Sequence, residues 1–85
     1  MIVFEFTVKD ENGLHARPAG LLVKEAMKCK SSVTLKKGSK KGDAKKIFNV
    51  MGLSVKHGDI IEVEVEGDNE ESDAKLLKDF ITANI

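Results

Sequence analysis

The chain has 85 residues, 41% of them hydrophobic and 33% charged, and its formal net charge at pH 7 is zero. This length supplies a single hydrophobic core, so we expect one domain over residues 1–85. The four Phe residues are its only aromatic side chains, which argues against nucleic-acid binding by base stacking. No apolar run is long enough to span a bilayer and no secretory signal opens the chain, so we expect a cytoplasmic protein with no membrane insertion.

The zero net charge conceals two oppositely charged parts. Residues 1–58 hold twelve Lys or Arg against five Asp or Glu, whereas residues 59–85 hold two against nine. A basic surface of this kind attracts acidic partners. The one cysteine, Cys29, cannot form an internal disulfide, and we expect it to be partly buried near the end of the first helix. No metal or other cofactor is expected, since His15, His57 and Cys29 lack the spacing of metal ligands.

The first two predicted elements are a strand and a helix. Residues 2–9 alternate between apolar and polar side chains, which predicts a strand with one face on the core. Pro18 is compatible only with the first turn of a helix, so a helix is expected over residues 16 to 27 or 29, with His15 at or just before its N-cap. The apolar residues of this segment recur with the spacing of one buried helical face, at Ala19, Leu22, Val23, Ala26 and Met27.

Two short strands and a short helix follow. Residues 33–36 again alternate with period two, and a tight turn leads into a third strand over residues 40–44. Gly42 disfavours strand, so this third strand should be short and should lie at a sheet edge. Clustered apolar residues then predict a helix of about two turns over residues 45–51, closed by Gly52 in the C′ position typical of a helix end.

A strand and a helix complete the pattern. Apolar and acidic residues alternate over residues 61–66, the clearest strand of the chain, and residues 67–69 break it and offer N-caps. The last helix has a buried face with helical spacing, formed by Ala74, Leu77 and Ile81 and widened by Leu76 and Phe80. Each strand keeps a polar face, which favours an antiparallel sheet. The order β-α-β-β-α-β-α thus predicts an α+β fold, an open-faced β-sandwich whose four-stranded antiparallel sheet carries three helices on one face.

His15 carries the chemical prediction. At a helix start the backbone N–H groups of Ala16 and Arg17 have no partner within the helix and form an anion site, and the Arg17 guanidinium matches a phosphate. A neutral imidazole supplies a nucleophilic nitrogen. We therefore predict that His15 takes up and releases a phosphoryl group; an ordinary surface histidine at a helix cap is the alternative. His57 lacks these features and is interpreted as a turn residue, and Asn12 as a brace for the His15 loop or a turn former.

Residues 13–19, GLHARPA, resemble the active-site motif of HPr, the family of histidine-containing phosphocarriers of the bacterial sugar phosphotransferase system. The length and the order of elements are similar too, so the resemblance extends over essentially the whole chain. It implies a phosphocarrier rather than an enzyme. His15 would accept a phosphoryl group at Nδ1 from phospho-enzyme I, itself charged by phosphoenolpyruvate, and would pass it to IIA domains for sugar uptake, with Arg17 beside it.

The resemblance also implies a surface for partners. Carried over by position, the residues that contact enzyme I and IIA proteins would be Arg17, Lys24, Ile47, Phe48 and Met51. We expect a monomer. Many family members from low-GC Gram-positive bacteria carry a serine that a regulatory kinase phosphorylates where this chain has Lys46, so that regulation is not expected here. Two alternatives stay open: a regulatory binding module of the same fold, or a paralogue that serves a dedicated phosphorelay. A third, nucleic-acid binding through the lysines of residues 36–46, lacks the aromatic side chains for stacking.

Overall fold

The computed structural model describes residues 1–85, and its elements follow the predicted order β-α-β-β-α-β-α. The four strands are β1 (Ile2–Thr7), β2 (Ser32–Lys37), β3 (Lys40–Asp43) and β4 (Ile60–Glu66). The three helices are α1 (Ala16–Met27), α2 (Ile47–Met51) and α3 (Glu70–Asn84). The predicted α+β class is therefore what the chain forms.

The strands make one antiparallel sheet in the order β1-β4-β2-β3. Strand β4 lies near its centre, and its residues Ile61, Val63 and Val65 are each at most 1% exposed. Glu62 and Glu64 alternate with them on the opposite face and remain partly exposed. The sheet therefore has one apolar face under the helices and one polar face towards solvent, as the alternation predicts.

The short strand β3 lies at the edge of the sheet, as predicted. Gly42 is buried in it, and a Cβ atom at this position would lie 2.8 Å from the backbone oxygen of Asn49. The missing side chain lets α2 pack directly against β3. The residue that weakens the strand is thus the one that allows the helix to approach.

Helix α1 packs against both α2 and α3, and its buried residues are Pro18, Ala19, Leu22, Val23 and Ala26. The prediction for Met27 was wrong, since this side chain is 66% exposed. The helix ends at Met27, and Cys29, 5% exposed, occupies the core instead. Leu76, expected to widen the buried face of α3, is 39% exposed, so that face is narrower than predicted.

Helix α2 is shorter than predicted and ends differently. Lys46 is its extended N-cap residue, because the backbone N–H groups of Lys45 and Lys46 donate to Asp43 in a turn before the helix. Gly52 is the C-cap residue, but its backbone is right-handed, with φ −65°. The left-handed residue is Ser54, with φ 53°. The chain therefore reverses after α2 at a serine, not at a glycine in the C′ position.

A buried carboxylate joins α3 to the start of β2. Asp73 is 5% exposed, and its Oδ2 accepts hydrogen bonds from the backbone N–H groups of Lys30 (3.1 Å) and Ser31 (2.9 Å). Asn69 stands at the predicted N-cap of α3, but its side chain donates to Oδ1 of Asp73 at 3.0 Å and caps no helical N–H. Burial by itself raises the pKa of Asp73, but the hydrogen bonds from Ser31, Asn69 and Lys30 outweigh burial and hold that pKa below its usual value.

Candidate functional site

The loop after β1 places His15 at the start of α1, as predicted. His15 is the N-cap residue, with extended backbone angles of φ −80° and ψ −173°, and its carbonyl accepts the first helical hydrogen bond from Ala19 at 2.9 Å. Its side chain makes no hydrogen bond to the helix end. Pro18 has no N–H, so the open donors of the first turn are the backbone N–H groups of Ala16 and Arg17. Both residues are exposed, at the place where the sequence predicts an anion site.

The imidazole of His15 lies at the surface with Asp10 beside it. The side chain is 41% exposed, and its Nε2 lies 3.7 Å from Oδ2 of Asp10. The other oxygen of this carboxylate, Oδ1, accepts a hydrogen bond from the backbone N–H of Asn12 at 2.8 Å. Asp10 therefore braces the loop with its side chain, and Asn12 is a turn residue. Arg17 is exposed on the first turn of the helix.

Two adjacent loops support His15. Residues 8–14, the His15 loop, follow β1, and residues 54–59, which we call the bracket loop, precede β4. The N–H of Leu14 donates to the carbonyl of Val55 at 3.0 Å. Gly13 beside it has φ 69°, and a Cβ atom there would lie 2.3 Å from the same carbonyl oxygen. Glycine thus provides both the left-handed turn and the close approach of the two loops.

The bracket loop also holds the first residue of the His15 loop. The N–H of Val8 donates to the carbonyl of Asp59 at 3.0 Å, and the N–H of Gly58 donates to the carbonyl of Val8 at 2.8 Å. Nδ1 of His57 lies 3.3 Å from the carbonyl oxygen of Asp10. His57, interpreted from the sequence as a turn residue only, therefore contacts the His15 loop. Nothing in the local pattern marks this contact, because its two residues are 47 positions apart.

The residues expected to dock partners on α2 differ in exposure. Phe48 is 87% exposed and Met51 is 40% exposed. Ile47 is partly buried and packs against the core, so only part of its side chain is accessible to a partner. Lys46, which precedes the helix, is exposed. An apolar surface centred on Phe48 thus lies next to a positive charge.

The exposed side of α1 extends this surface. Arg17, Leu21 and Lys24 follow one another at spacings of four and three residues, so they lie on one side of the helix. All three are exposed, and Leu21 is 45% exposed. Leu21 was not among the residues predicted to dock partners, although its position four residues after Arg17 is a signal that places it on the same side of the helix. Helix α1 packs against α2, so these exposed residues belong to two helices in contact.

Other notable features lie away from His15. The largest cavity, of about 500 Å³, is lined by polar residues around β2, β3 and Asn49 and does not include His15. Cys29 is buried more fully than expected, and burial raises the pKa of its thiol to about 11. No three His, Cys, Asp or Glu residues are grouped so that they could hold a metal ion. No helix has both the length and the apolar character needed to cross a bilayer.

Two of the six lysines in residues 36–46, Lys36 and Lys37, form ion pairs with acidic side chains. The Nζ atom of Lys36 lies 3.5 Å from Oε2 of Glu64 on the polar face of the sheet. The Nζ atom of Lys37, the next residue, lies 3.0 Å from Oδ2 of Asp59 in the bracket loop. Alternation along β2 therefore sends neighbouring lysines in different directions.

Comparison with known proteins agrees with this geometry. The family model PTS-HPr, described as the PTS HPr component phosphorylation site, matches residues 2–83. The phosphocarrier protein HPr of Mycoplasma capricolum is 37% identical over 78 residues, which are 92% of this chain and 88% of that protein. The crystal structure of HPr-C-His from Thermoanaerobacter tengcongensis superposes with a TM-score of 0.92 at 39% identity, covering 99% of this chain and 94% of that one. Bacillus subtilis Crh, a catabolite repression protein solved as a dimer with swapped domains, has a TM-score of 0.76 at 33% identity, covering 100% and 98% of the two chains.

The fold and these matches define a phosphocarrier of the phosphotransferase system, a protein that carries a phosphoryl group and is not a catalyst. The chain belongs to the HPr family. The predictions of the family and of the open-faced sandwich fold are confirmed. Family membership implies interaction with enzyme I and IIA proteins, and the solved relatives include dimers.

Proposed function

We propose that His15 is the residue of this chain that carries the phosphoryl group between phospho-enzyme I and IIA proteins. The observation that supports it is the exposed imidazole at the N-cap of α1, next to the two open N–H groups of Ala16 and Arg17. Phosphorylation adds roughly two negative charges. The helix end and the Arg17 guanidinium attract these charges, each contributing about 0.3–2 kcal/mol. Interactions of this size hold the phosphoryl group and still allow its onward transfer.

The transfer requires a ring nitrogen with a free lone pair. Asp10 lies 3.7 Å from Nε2 and favours a proton on that nitrogen, which leaves the lone pair on Nδ1. Nδ1 of His15 attacks the phosphorus atom of phospho-enzyme I. The new N–P bond forms while the bond from phosphorus to enzyme I breaks, and the donor atom of enzyme I keeps that electron pair. Transfer to a IIA protein repeats the same exchange with His15 as the leaving group. The attacking nitrogen carries no proton, so positioning and charge stabilisation replace a dedicated base.

The docking surface in this proposal is the exposed side of α1 and α2. Phe48 and Met51 supply its apolar centre, and Lys24 and Lys46 supply a basic rim. Such a rim speeds association with acidic partners. The positive charge of Lys46 stands where many relatives have a serine, so docking here is not controlled by phosphorylation at that position. In this proposal the chain acts in the cytoplasm as a monomer, because one copy provides both His15 and the docking surface.

Phosphorylation with purified enzyme I and phosphoenolpyruvate, followed by intact mass, tests the proposal. The wild-type chain should gain one phosphoryl group, which acid should remove. His15→Ala should gain none, because the nucleophilic nitrogen is gone, whereas His57→Ala, which removes the other histidine, should still gain one phosphoryl group. Undiminished labelling of His15→Ala would refute the proposal.

A regulatory binding role is the second candidate, and the likeness to Crh over the whole chain favours it. The same preparations separate the two functions. A carrier loses its activity in His15→Ala. A binding module keeps its partner in His15→Ala and loses it in Phe48→Ala, where the most exposed aromatic side chain is removed.

A further inference from the structure

The bracket loop begins with a residue in an unfavourable conformation. Ser54, with φ 53°, is the one non-glycine residue of the chain with positive φ. A side chain at positive φ crowds the neighbouring backbone, so such a conformation persists only where surrounding contacts hold it. The next residue, Val55, accepts the hydrogen bond from Leu14, immediately before His15. A contact that stabilises the backbone of Ser54 therefore also affects the position of His15.

The side chain of Lys37 stabilises the backbone conformation of Ser54. Its Nζ donates a hydrogen bond to the carbonyl of Ser54 at 2.7 Å and lies 3.0 Å from Oδ2 of Asp59. The same Oδ2 accepts a hydrogen bond from the backbone N–H of Lys56 at 2.8 Å. The hydrogen bond from Lys56, followed by that from Lys37, holds the pKa of Asp59 below its usual value. A single ammonium group thus ties together the first and last residues of the bracket loop.

Lys37 contacts Ser54 and Asp59, and both residues connect to the His15 loop. Val55, adjacent to Ser54, binds Leu14 through its carbonyl, and Asp59 accepts the N–H of Val8. The side chains of Lys37 and Asp59 are 27% and 30% exposed, so water does not fully screen their ion pair. The contacts form an unbroken series from Lys37 through the bracket loop to the residue before His15.

We propose that Lys37 is a positioning residue for His15, acting through the bracket loop and not by contact with the phosphoryl group. This inference rests on the proposed function of His15. Lys37 fixes the curvature of the bracket loop, and the bracket loop fixes Leu14 and hence the angle at which the imidazole meets a docked partner. Phosphoryl transfer needs in-line geometry, so a loosened loop slows the chemical step more than it weakens docking.

The test compares Lys37→Gln with Lys36→Gln and Lys37→Arg. Lys36 is the matched control, because it is the adjacent lysine on β2 and its ion pair with Glu64 lies on the polar face of the sheet. In Lys37→Gln, NMR hydrogen exchange should show faster exchange at the amides of Leu14 and Gly58, with little change in the core. The kcat for phosphorylation by enzyme I should fall about tenfold, while KM stays unchanged. Lys36→Gln should match the wild type, and Lys37→Arg should recover most of kcat because it keeps the charge.

Two results would overturn the inference: a wild-type kcat in Lys37→Gln, or an equal loss of kcat in Lys36→Gln. If Lys37→Gln does not fold, Asp59→Asn replaces it, because the amide oxygen still accepts the N–H of Lys56 while the ion pair is lost. A smaller fall in kcat is then expected, and unchanged kcat and exchange would overturn the inference. Failure of the proposed function looks different: the wild-type chain itself would gain no phosphoryl group at His15.

Discussion

Asp73 illustrates how one side chain can join distant segments. Its carboxylate lies in α3 and accepts hydrogen bonds from the backbone N–H groups of residues 30 and 31. These residues are 43 and 42 positions before it in the chain. It is nearly fully buried and has a lowered pKa because its hydrogen bonds outweigh the effect of burial. The sequence showed only an acidic residue in the first turn of a helix, a position that the helix dipole favours.

Asp73→Ala should therefore lower the free energy of unfolding by about 1–3 kcal/mol at neutral pH, since buried N–H groups lose their acceptor. The folded-state pKa is lowered, so the contribution of Asp73 is present above the unfolded pKa of about 3.9 and is lost as pH falls through the lower folded value. Urea unfolding at pH 7 and below pH 3 measures both effects. Asp79→Ala, an exposed acid on the same helix, should change stability by less than about 0.5 kcal/mol. Equal effects of the two variants would contradict this role.

The start of α1 shows how an element can be set locally and yet depend on another segment. Pro18 and the apolar spacing place the first turn, and the structure confirms a helix from Ala16 with His15 as its N-cap. The loop before it is shaped by Gly13, whose positive φ and contact with Val55 bring the two loops together.

Helix α2 shows the opposite case, because its start is set by a neighbouring segment against the local pattern. Its first turn is lost to hydrogen bonds with Asp43, which precedes the helix and was assigned to the strand.

Gly13→Ala tests the loop approach, with Gly38→Ala as a matched control. Both glycines have positive φ, 69° and 59°, but an added Cβ would lie 2.3 Å from Val55 O at Gly13 and would meet nothing within 4 Å at Gly38. Gly38→Ala should lose about 1–2 kcal/mol of stability from the left-handed conformation alone. Gly13→Ala should lose clearly more and should also slow phosphorylation of His15. Urea unfolding and the enzyme I assay measure the two quantities, and similar losses in both variants would show that the close approach is unimportant.

At the scale of the whole molecule, the two oppositely charged parts of the sequence form different elements. Helix α1 packs against both α2 and α3. Residues 1–58, which include α1 and α2, hold twelve of the fourteen basic residues, whereas residues 59–85, which include β4 and α3, hold nine of the fourteen acidic ones. Arg17, Lys24 and Lys46 are exposed on or beside α1 and α2, so three positive charges lie on the helices that also expose Phe48. Charge of this kind acts mainly on association rates.

Association with enzyme I should accordingly slow as salt is added. Raising ionic strength from about 0.01 M to about 1 M shortens the Debye length from about 30 Å to about 3 Å, and the association rate constant should fall at least about tenfold. Lys24→Glu should slow association at low salt and flatten its salt dependence. Lys75→Glu changes an exposed lysine on α3 and should neither slow association at low salt nor flatten its salt dependence. Stopped-flow binding measures these rates, and a salt-independent rate for the wild type would exclude electrostatic steering.

Much of the fold and part of the site could be predicted because their signals are local. Strand alternation, helical spacing and the restriction imposed by Pro18 act over a few residues, and they specify the element order, the sheet edge at β3 and the helix start at His15. The residues of the proposed anion site, His15, Ala16 and Arg17, are consecutive. Their positions relative to the helix end follow from the sequence alone.

The tertiary structure alone decided which residues support that site. Lys37, Ser54 and Asp59 meet only because β2 and the loop before β4 are brought together, and the contact of His57 with Asp10 has the same origin. Packing also decided exposure, as it left Met27 and Leu76 in solvent against the periodic pattern. The physical reason is that side-chain contacts between distant segments depend on the packing of whole elements, whereas periodicity reports only which face of one element is apolar.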